Sequence, residues 1–153
     1  MGTRLSGRQA ILYGTLAVGT LDALDAIVFF GLRSGAKPMR IFQGIASGLL
    51  GPAARQGGLK TAALGVALHY FIAFGIVATY FVASRRVRLL TSRPIVCGLI
   101  FGLAVYAVMN LLVIPLSKIG GPNMPAVPVL VNGLLIHMFG VGLPAALAAR
   151  AAR

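Results

Sequence analysis

The chain has 153 residues, of which 58% are hydrophobic and 10% are charged. Soluble domains usually carry about 25% charged residues, so this composition excludes an ordinary soluble domain and favours helices in lipid. The net charge of +12 comes from Lys and Arg scattered over the tail and connections, without the basic face that nucleic-acid binding needs. The predicted partner is therefore a bilayer with anionic headgroups, not nucleic acid.

The first predicted span covers residues 10–32, long enough at 1.5 Å per residue to cross about 30 Å of hydrocarbon. Its basic then apolar start has the layout of a signal peptide, but the apolar run continues to Leu32 without a small-residue cleavage site. We interpret it as a retained span. Residues 41–50 are amphipathic and too short to span, which predicts an interfacial or re-entrant helix whose Gly44 and Gly48 allow close helix contact.

Three more spans are predicted at residues 61–83, 95–116 and 129–149. Gly98 and Gly102 form a small-xxx-small pair suited to tight helix packing, and Pro115 is expected to kink or end the third span. The predicted fold class is therefore all-α: one integral membrane four-helix bundle over residues 1–153, with a short amphipathic or re-entrant helix between spans one and two.

The basic residues also predict an orientation. The tail, the second connection and the C-terminus carry eight Lys and Arg residues, whereas the first and third connections carry six. This bias, with the compact second connection, predicts cytoplasmic termini. The residues interpreted as topology signals and lipid headgroup contacts are Arg33, Lys37 and Arg40 after the first span, and Arg85, Arg86, Arg88 and Arg93 in the second connection.

The only two carboxylate side chains, Asp22 and Asp25, both fall inside the first span. An ionised carboxylate at mid-membrane costs at least about 2.5 kcal/mol, so each needs a partner, a proton or a cavity. Their i, i+3 spacing places both on one helical face, where repulsion and desolvation favour protonation of one of them. We expect this face to point into the bundle.

The other three spans place His69, Asn110 and His137 at about the depth of the two carboxylates, if each residue adds 1.5 Å. This polar layer allows three interpretations. It could be structural, with hydrogen bonds that fix the helices or an accessory subunit. It could be a proton and substrate site for transport of a small solute or ion, which we favour. It could bind a cofactor.

For the cofactor alternative, His69 and His137 could ligate haem iron, or these two with Asp22 and Asp25 could hold a metal. No local ligand motif such as H-x-x-x-H supports either, and the cofactor stays unassigned. No GxSxG, HExxH or Walker A motif is present, so an enzyme is the least favoured function and no catalytic residue is assigned. The single Cys97 allows no intrachain disulfide.

Several stretches, among them TLDALDAIVFFGLR, RIFQGIASGLLG, YAVMNLLVIPLS and NGLLIHMFGVGLP, give the chain a recognisable layout. In this layout it resembles a family of small four-span bacterial inner-membrane proteins that carry a domain of unknown function. The resemblance implies the bacterial inner membrane as the location. It implies no activity and no site residue, and it leaves a homo-oligomer or a membrane-complex partner open.

Overall fold

In the computed structural model, residues 4–120 and 125–153 are described, and they form helices without any strand. Four helices in these ranges are long and apolar enough to cross a membrane: α1 (Gly7–Ser34), α3 (Gly58–Arg86), α5 (Pro94–Leu116) and α6 (Val127–Ala151). The short helices are α2 (Pro38–Leu50) and α4 (Leu89–Ser92). The all-α, multi-pass membrane bundle is confirmed, and the helices reach up to three residues beyond the predicted bounds.

Local sequence signals explain where the first helices begin and end. Ser6 caps α1, because its hydroxyl accepts the backbone N–H of Gln9 while the Gln9 side chain accepts the N–H of Ser6. Gly35, at φ +67°, ends the helix in a left-handed conformation that favours glycine. Pro38 then starts α2 at a position where a helix needs no donor.

The connections of the bundle gather at two ends. The end that holds both termini is called the tail end. There the N–H of Leu5 donates to the carbonyl of Ala151 at 3.1 Å, and the guanidinium of Arg153 donates to the carbonyl of Arg88 in the α3–α5 connection. At the opposite end, the N–H of Lys118 donates to Gly48 of α2 at 2.8 Å. The spans therefore alternate in direction, and α2 lies at the end away from both termini.

Buried side chains concentrate in the tail half of the bundle, which we call the tail-side seal. Among the described residues, α1 has no buried position after Gly19, α5 none after Val105, and α6 none before Gly140. The seal is built of small and medium apolar side chains with one tyrosine: Val18, Ala73, Val77, Tyr80, Val105, Val141, Ala145, Ala146 and Ala149. The same helices separate toward the opposite end and leave space between them.

Glycines set the closest helix contacts. A methyl group at Gly102 would overlap the carbonyl of His137, and one at Gly98 would come within 2.9 Å of the Gly142 carbonyl, so the predicted Gly98/Gly102 contact is confirmed against α6. The expectation for Gly44 is wrong, because no atom of the described residues lies within 4 Å of a methyl built there. Instead, α2 packs through the backbone of Phe42 onto Gly65 of α3.

Both α5 and α6 contain a π-helical turn just before a proline. The turn Met109–Val113 precedes Pro115, and the turn His137–Gly142 precedes Pro144. Proline removes an N–H and its ring crowds the carbonyl four residues back, so the widened turn relieves that clash. Pro115 therefore distorts the third span as predicted, and a matching distortion in the fourth span lies directly at His137.

Candidate functional site

A cavity of about 850 Å³ occupies the space between the separated halves of the helices. It runs from the tail-side seal, at Val18 and Val141, to a rim at the opposite end where Arg40 and Arg55 lie. Its walls are mainly apolar and come from every long helix and from α2. All five polar residues predicted for one layer line this cavity: Asp22, Asp25, His69, Asn110 and His137.

Asp22 lies near the closed end of the cavity, beside His69 of α3. The distance from its Oδ2 to His69 Nδ1 is 3.9 Å, and the side chains are 30% and 11% exposed, respectively. This separation exceeds the roughly 3.2 Å limit for a hydrogen bond, so the two groups are neighbours without a direct bond. A donor or a water of the right size could bridge them.

The tautomer of His69 follows from its second nitrogen. Nε2 lies 2.7 Å from the carbonyl oxygen of Gly19. A carbonyl oxygen only accepts, so Nε2 must carry the hydrogen, and the lone pair of the neutral ring is on Nδ1, toward Asp22. The close α1–α3 crossing makes this bond possible, because Gly19 packs on the ring of Tyr70.

His137 of α6 is held in the other neutral tautomer, with the hydrogen on Nδ1. Its Nδ1 lies 2.9 Å from the carbonyl oxygen of Gly133, one turn earlier in the same helix. Nδ1 therefore carries the hydrogen, and the neutral ring keeps its lone pair on Nε2. The ring also packs edge-on against Tyr106 at 5.3 Å between centroids. Both histidines thus use one nitrogen for the backbone and keep the other as a hydrogen-bond acceptor.

Asp25 has a partner that sequence reasoning missed. The side-chain amide of Asn132, in α6, donates to Asp25 Oδ2 at 2.7 Å and so connects the first and last spans. Asn132 precedes His137 by five residues in α6 and was not among the residues predicted for the polar layer. The available signal was an amide inside an otherwise apolar span.

Asn110 lines the cavity, but its amide is used locally. It donates to the carbonyl of Tyr106, one turn earlier in α5, at 2.9 Å. It also lies in the π-helical turn Met109–Val113. The structure therefore places Asn110 in the predicted layer and gives its N–H group to the distorted helix.

The geometry gives little support to the cofactor alternative. Within residues 4–120 and 125–153, no three His, Cys, Asp or Glu side chains come together as a group that could hold a metal ion. For haem, His69 would need a free Nε2, the usual iron ligand of histidine, and this atom instead bonds the carbonyl of Gly19. The metal and haem alternatives for Asp22, Asp25, His69 and His137 therefore stay predictions.

The seven basic residues interpreted as topology signals all lie exposed near helix ends: Arg33, Lys37 and Arg40 at the opposite end, and Arg85, Arg86, Arg88 and Arg93 at the tail end. Arg40 has an additional contact, since its guanidinium donates to the carbonyl of Arg55 at 2.8 Å, on the cavity rim. Their contact with lipid headgroups stays a prediction.

Comparison of the chain with protein-family models, with curated proteins and with solved structures finds no match. The resemblance to small four-span bacterial membrane proteins therefore stays a prediction. Function has to be argued from the cavity itself.

Proposed function

We propose that the chain is a proton-linked transporter of a small solute, located in the bacterial inner membrane with its termini in the cytoplasm. The observation that carries the proposal is a cavity that opens at one end of the bundle, is closed by packed side chains at the other, and holds both carboxylates of the chain. This is the arrangement expected of one state of an alternating-access carrier.

The closed half supports transport rather than an open channel. From Asp22 to Ala10, α1 covers about 18 Å of tightly packed bundle at 1.5 Å per residue. The seal consists largely of Ala and Val side chains and Gly backbone contacts, which allow helices to approach closely. A solute that reaches Asp22 can leave on the tail side only if these contacts open, so passage requires a conformational change.

The same cavity holds the groups that a proton coupling needs. Asp22 has no direct hydrogen bond to another side chain in the described residues, while His69 Nδ1 and His137 Nε2 are acceptors in the neutral rings. Protons can therefore reside on Asp22 or on either imidazole. Asp25 accepts a hydrogen bond from Asn132 and is the more fixed of the two carboxyl groups.

The predicted orientation assigns each end of the cavity to one side of the membrane. With cytoplasmic termini, the rim near Arg40 and Arg55 faces the periplasm, and the tail-side seal faces the cytoplasm. The state described is then the outward-open one. This assignment depends on the distribution of Lys and Arg and is tested by labelling a cavity-wall cysteine from either side of sealed vesicles.

The test uses proteoliposomes that contain a trapped pH-sensitive dye, with the membrane potential clamped by potassium and valinomycin. The added solutes are butylguanidinium, which has N–H donors, and butyltrimethylammonium, methanesulfonate, sorbitol and sodium ions; their charges do not change over the pH range used, so none carries protons through lipid by itself. We expect protein-dependent proton movement with at least one class and its loss in Asp22→Asn.

Thr79→Val is the matched control, because Thr79 is polar and intramembrane but bonds only the carbonyl of Gly75, outside the cavity. It should leave the proton movement unchanged. Equal rates in vesicles with and without folded protein for every solute class would overturn the proposal, as would wild-type rates in Asp22→Asn.

A further inference from the structure

We infer that the solute is a small monovalent organic ammonium ion with N–H donors and an apolar body, held by Asp22 and His69 and exchanged for a proton. This inference rests on the proposed function, since it names the substrate class of the same cavity. It depends on which hydrogen-bonding groups the cavity leaves free.

The free polar groups near the closed end of the cavity are mainly acceptors. They are both oxygens of Asp22, the second oxygen of Asp25, Nδ1 of neutral His69 and Nε2 of neutral His137. An acceptor left unpaired in an apolar environment costs about 1–3 kcal/mol, and more if it is charged. The complementary ligand brings several N–H donors and a positive charge.

The amide and serine donors of the lining are already in use. The Asn132 amide donates to Asp25, and the Asn110 amide donates to the carbonyl of Tyr106. The hydroxyls of Ser34 and Ser117, nearer the rim, donate to carbonyls of their own helices. At the two aspartates a carboxylate or phosphate solute would therefore find no free amide donor, and the guanidinium donors of Arg40 and Arg55 lie at the rim instead.

The Asp22–His69 gap has the right size for an ammonium group. With 3.9 Å between Oδ2 and Nδ1, one nitrogen can lie about 2.9 Å from both atoms and donate a separate hydrogen to each. The third hydrogen of a primary ammonium remains for another acceptor. A quaternary ammonium has the charge but no donors, so it satisfies the charge of Asp22 without bonding His69.

The cavity walls select for an apolar body and a single charge. The apolar walls include Phe29, Phe30, Ile41, Ile45, Ile72 and Ile114. Hard cations such as Mg²⁺ and Ca²⁺ need about six or more oxygen ligands, which these walls do not supply. The Arg40 guanidinium at the rim would repel a second positive charge on a longer molecule.

Binding and proton release follow from one exchange. Asp22 in its neutral form holds a proton; when the ammonium binds, the carboxyl O–H bond breaks, the proton leaves to water and the ammonium becomes the counter-ion. No charge is gained by the site, so the exchange is electroneutral. The other titratable or charged side chains that line this cavity, from all surrounding elements, are Asp25, His69, Tyr106, His137, Arg40 and Arg55.

Calorimetry on the purified full chain in detergent tests this directly. The ligands share a four-carbon body: butylammonium, butyltrimethylammonium, 1-butanol and butanoate. We expect butylammonium to bind most tightly, butyltrimethylammonium at least about tenfold more weakly, and the neutral and anionic compounds not measurably. Titrations in two buffers of different ionisation enthalpy should show proton release, and affinity should fall as the pH is lowered, because Asp22 then holds the proton that the ammonium must displace.

The variants separate charge from packing. Asp22→Asn should lower butylammonium affinity at least about tenfold and abolish proton release, whereas Asp22→Glu should recover part of both. Thr79→Val should match the wild type, and circular dichroism and gel filtration report whether each variant is folded. Equal affinities for butylammonium and 1-butanol, tighter binding of butanoate, or unchanged affinity in folded Asp22→Asn would overturn the inference.

The two proposals fail in different ways. Butylammonium binding that depends on Asp22, without proton movement in vesicles for any solute, butylguanidinium included, would contradict transport and leave the ligand assignment standing. Proton movement with another solute class, without ammonium binding, would contradict the ligand assignment and leave transport standing.

Discussion

The amide of Asn132 donates to Asp25 Oδ2 at 2.7 Å and ties the last membrane span to the first. This is the one hydrogen bond between side chains of α1 and α6 in the described part of the chain. Asp25 is thereby bonded within the protein, whereas its neighbour Asp22 faces the cavity without a bonded side-chain partner. The two carboxylates should respond differently to substitution.

A double-mutant cycle should detect the Asn132–Asp25 bond. We expect Asp25→Ala and Asn132→Ala to interact by about 0.6–1.7 kcal/mol in the free energy of unfolding, the range measured for intramembrane hydrogen bonds. Unfolding in mixed detergent micelles gives the values. Asp25→Ala combined with Asn110→Ala is the control and should be additive, because the Asn110 amide bonds its own helix. Additivity for Asn132 as well would contradict the bond.

Glycine substitutions should separate the tight α5–α6 contact from the open cavity wall. Gly102→Ala places a methyl group against the carbonyl of His137, so it should destabilise the fold by about 1–3 kcal/mol through overpacking. Gly44→Ala meets open space in α2 and should be neutral, or stabilising by about 0.5–1 kcal/mol through helix propensity. Thermal unfolding in detergent reports both. Equal effects at the two positions would contradict the packing described.

The π-helical turn at His137 should lower the stability of the fold and position the His137 ring for ligand binding. Pro144→Ala restores a backbone donor and lets the turn close to a regular α-helix, which rotates His137 by about 100° relative to Ala145. We expect a higher unfolding temperature together with weaker butylammonium binding. Pro38→Ala, at the first position of α2, is the control and should leave ligand binding unchanged. Unchanged binding in Pro144→Ala would show that the turn does not position His137.

Thiol labelling should show that the cavity is open at one end only. In a Cys97→Ala background, Ala26→Cys places a thiol on the cavity wall and Ala145→Cys places one in the tail-side seal, where the native side chain is fully buried. A membrane-impermeant thiol reagent should modify Ala26→Cys from one side of sealed vesicles and leave Ala145→Cys unmodified. Labelling from the periplasmic side supports the proposed orientation, and labelling from the cytoplasmic side reverses it.

The position of each polar side chain along its helix was predictable, but its neighbours were not. Counting residues at 1.5 Å each placed Asp22 and His69 at one depth, and they lie 3.9 Å apart across the cavity. Asn132 was not included in that layer, yet its amide in α6 reaches Asp25 of α1 at 2.7 Å. Depth follows from the sequence, whereas helix rotation and crossing follow from tertiary packing.

The sequence by itself determined that Asp22 and Asp25 must face the inside of the bundle. Both lie within an apolar run of about twenty residues that crosses the membrane, and an ionised carboxylate that faces lipid there is costly. It also determined the four spans and their alternating directions.

Only the tertiary structure decided that the bundle is closed at the tail end and open at the other. The reason is steric: Gly98, Gly102 and Gly142 let α5 and α6 touch backbone to backbone in one half. In the other half, α1, α5 and α6 have no buried position among the described residues, and the cavity around Asp22 lies between the helices; the π turn Met109–Val113 of α5 lines this half, whereas the π turn His137–Gly142 of α6 lies at the close contact.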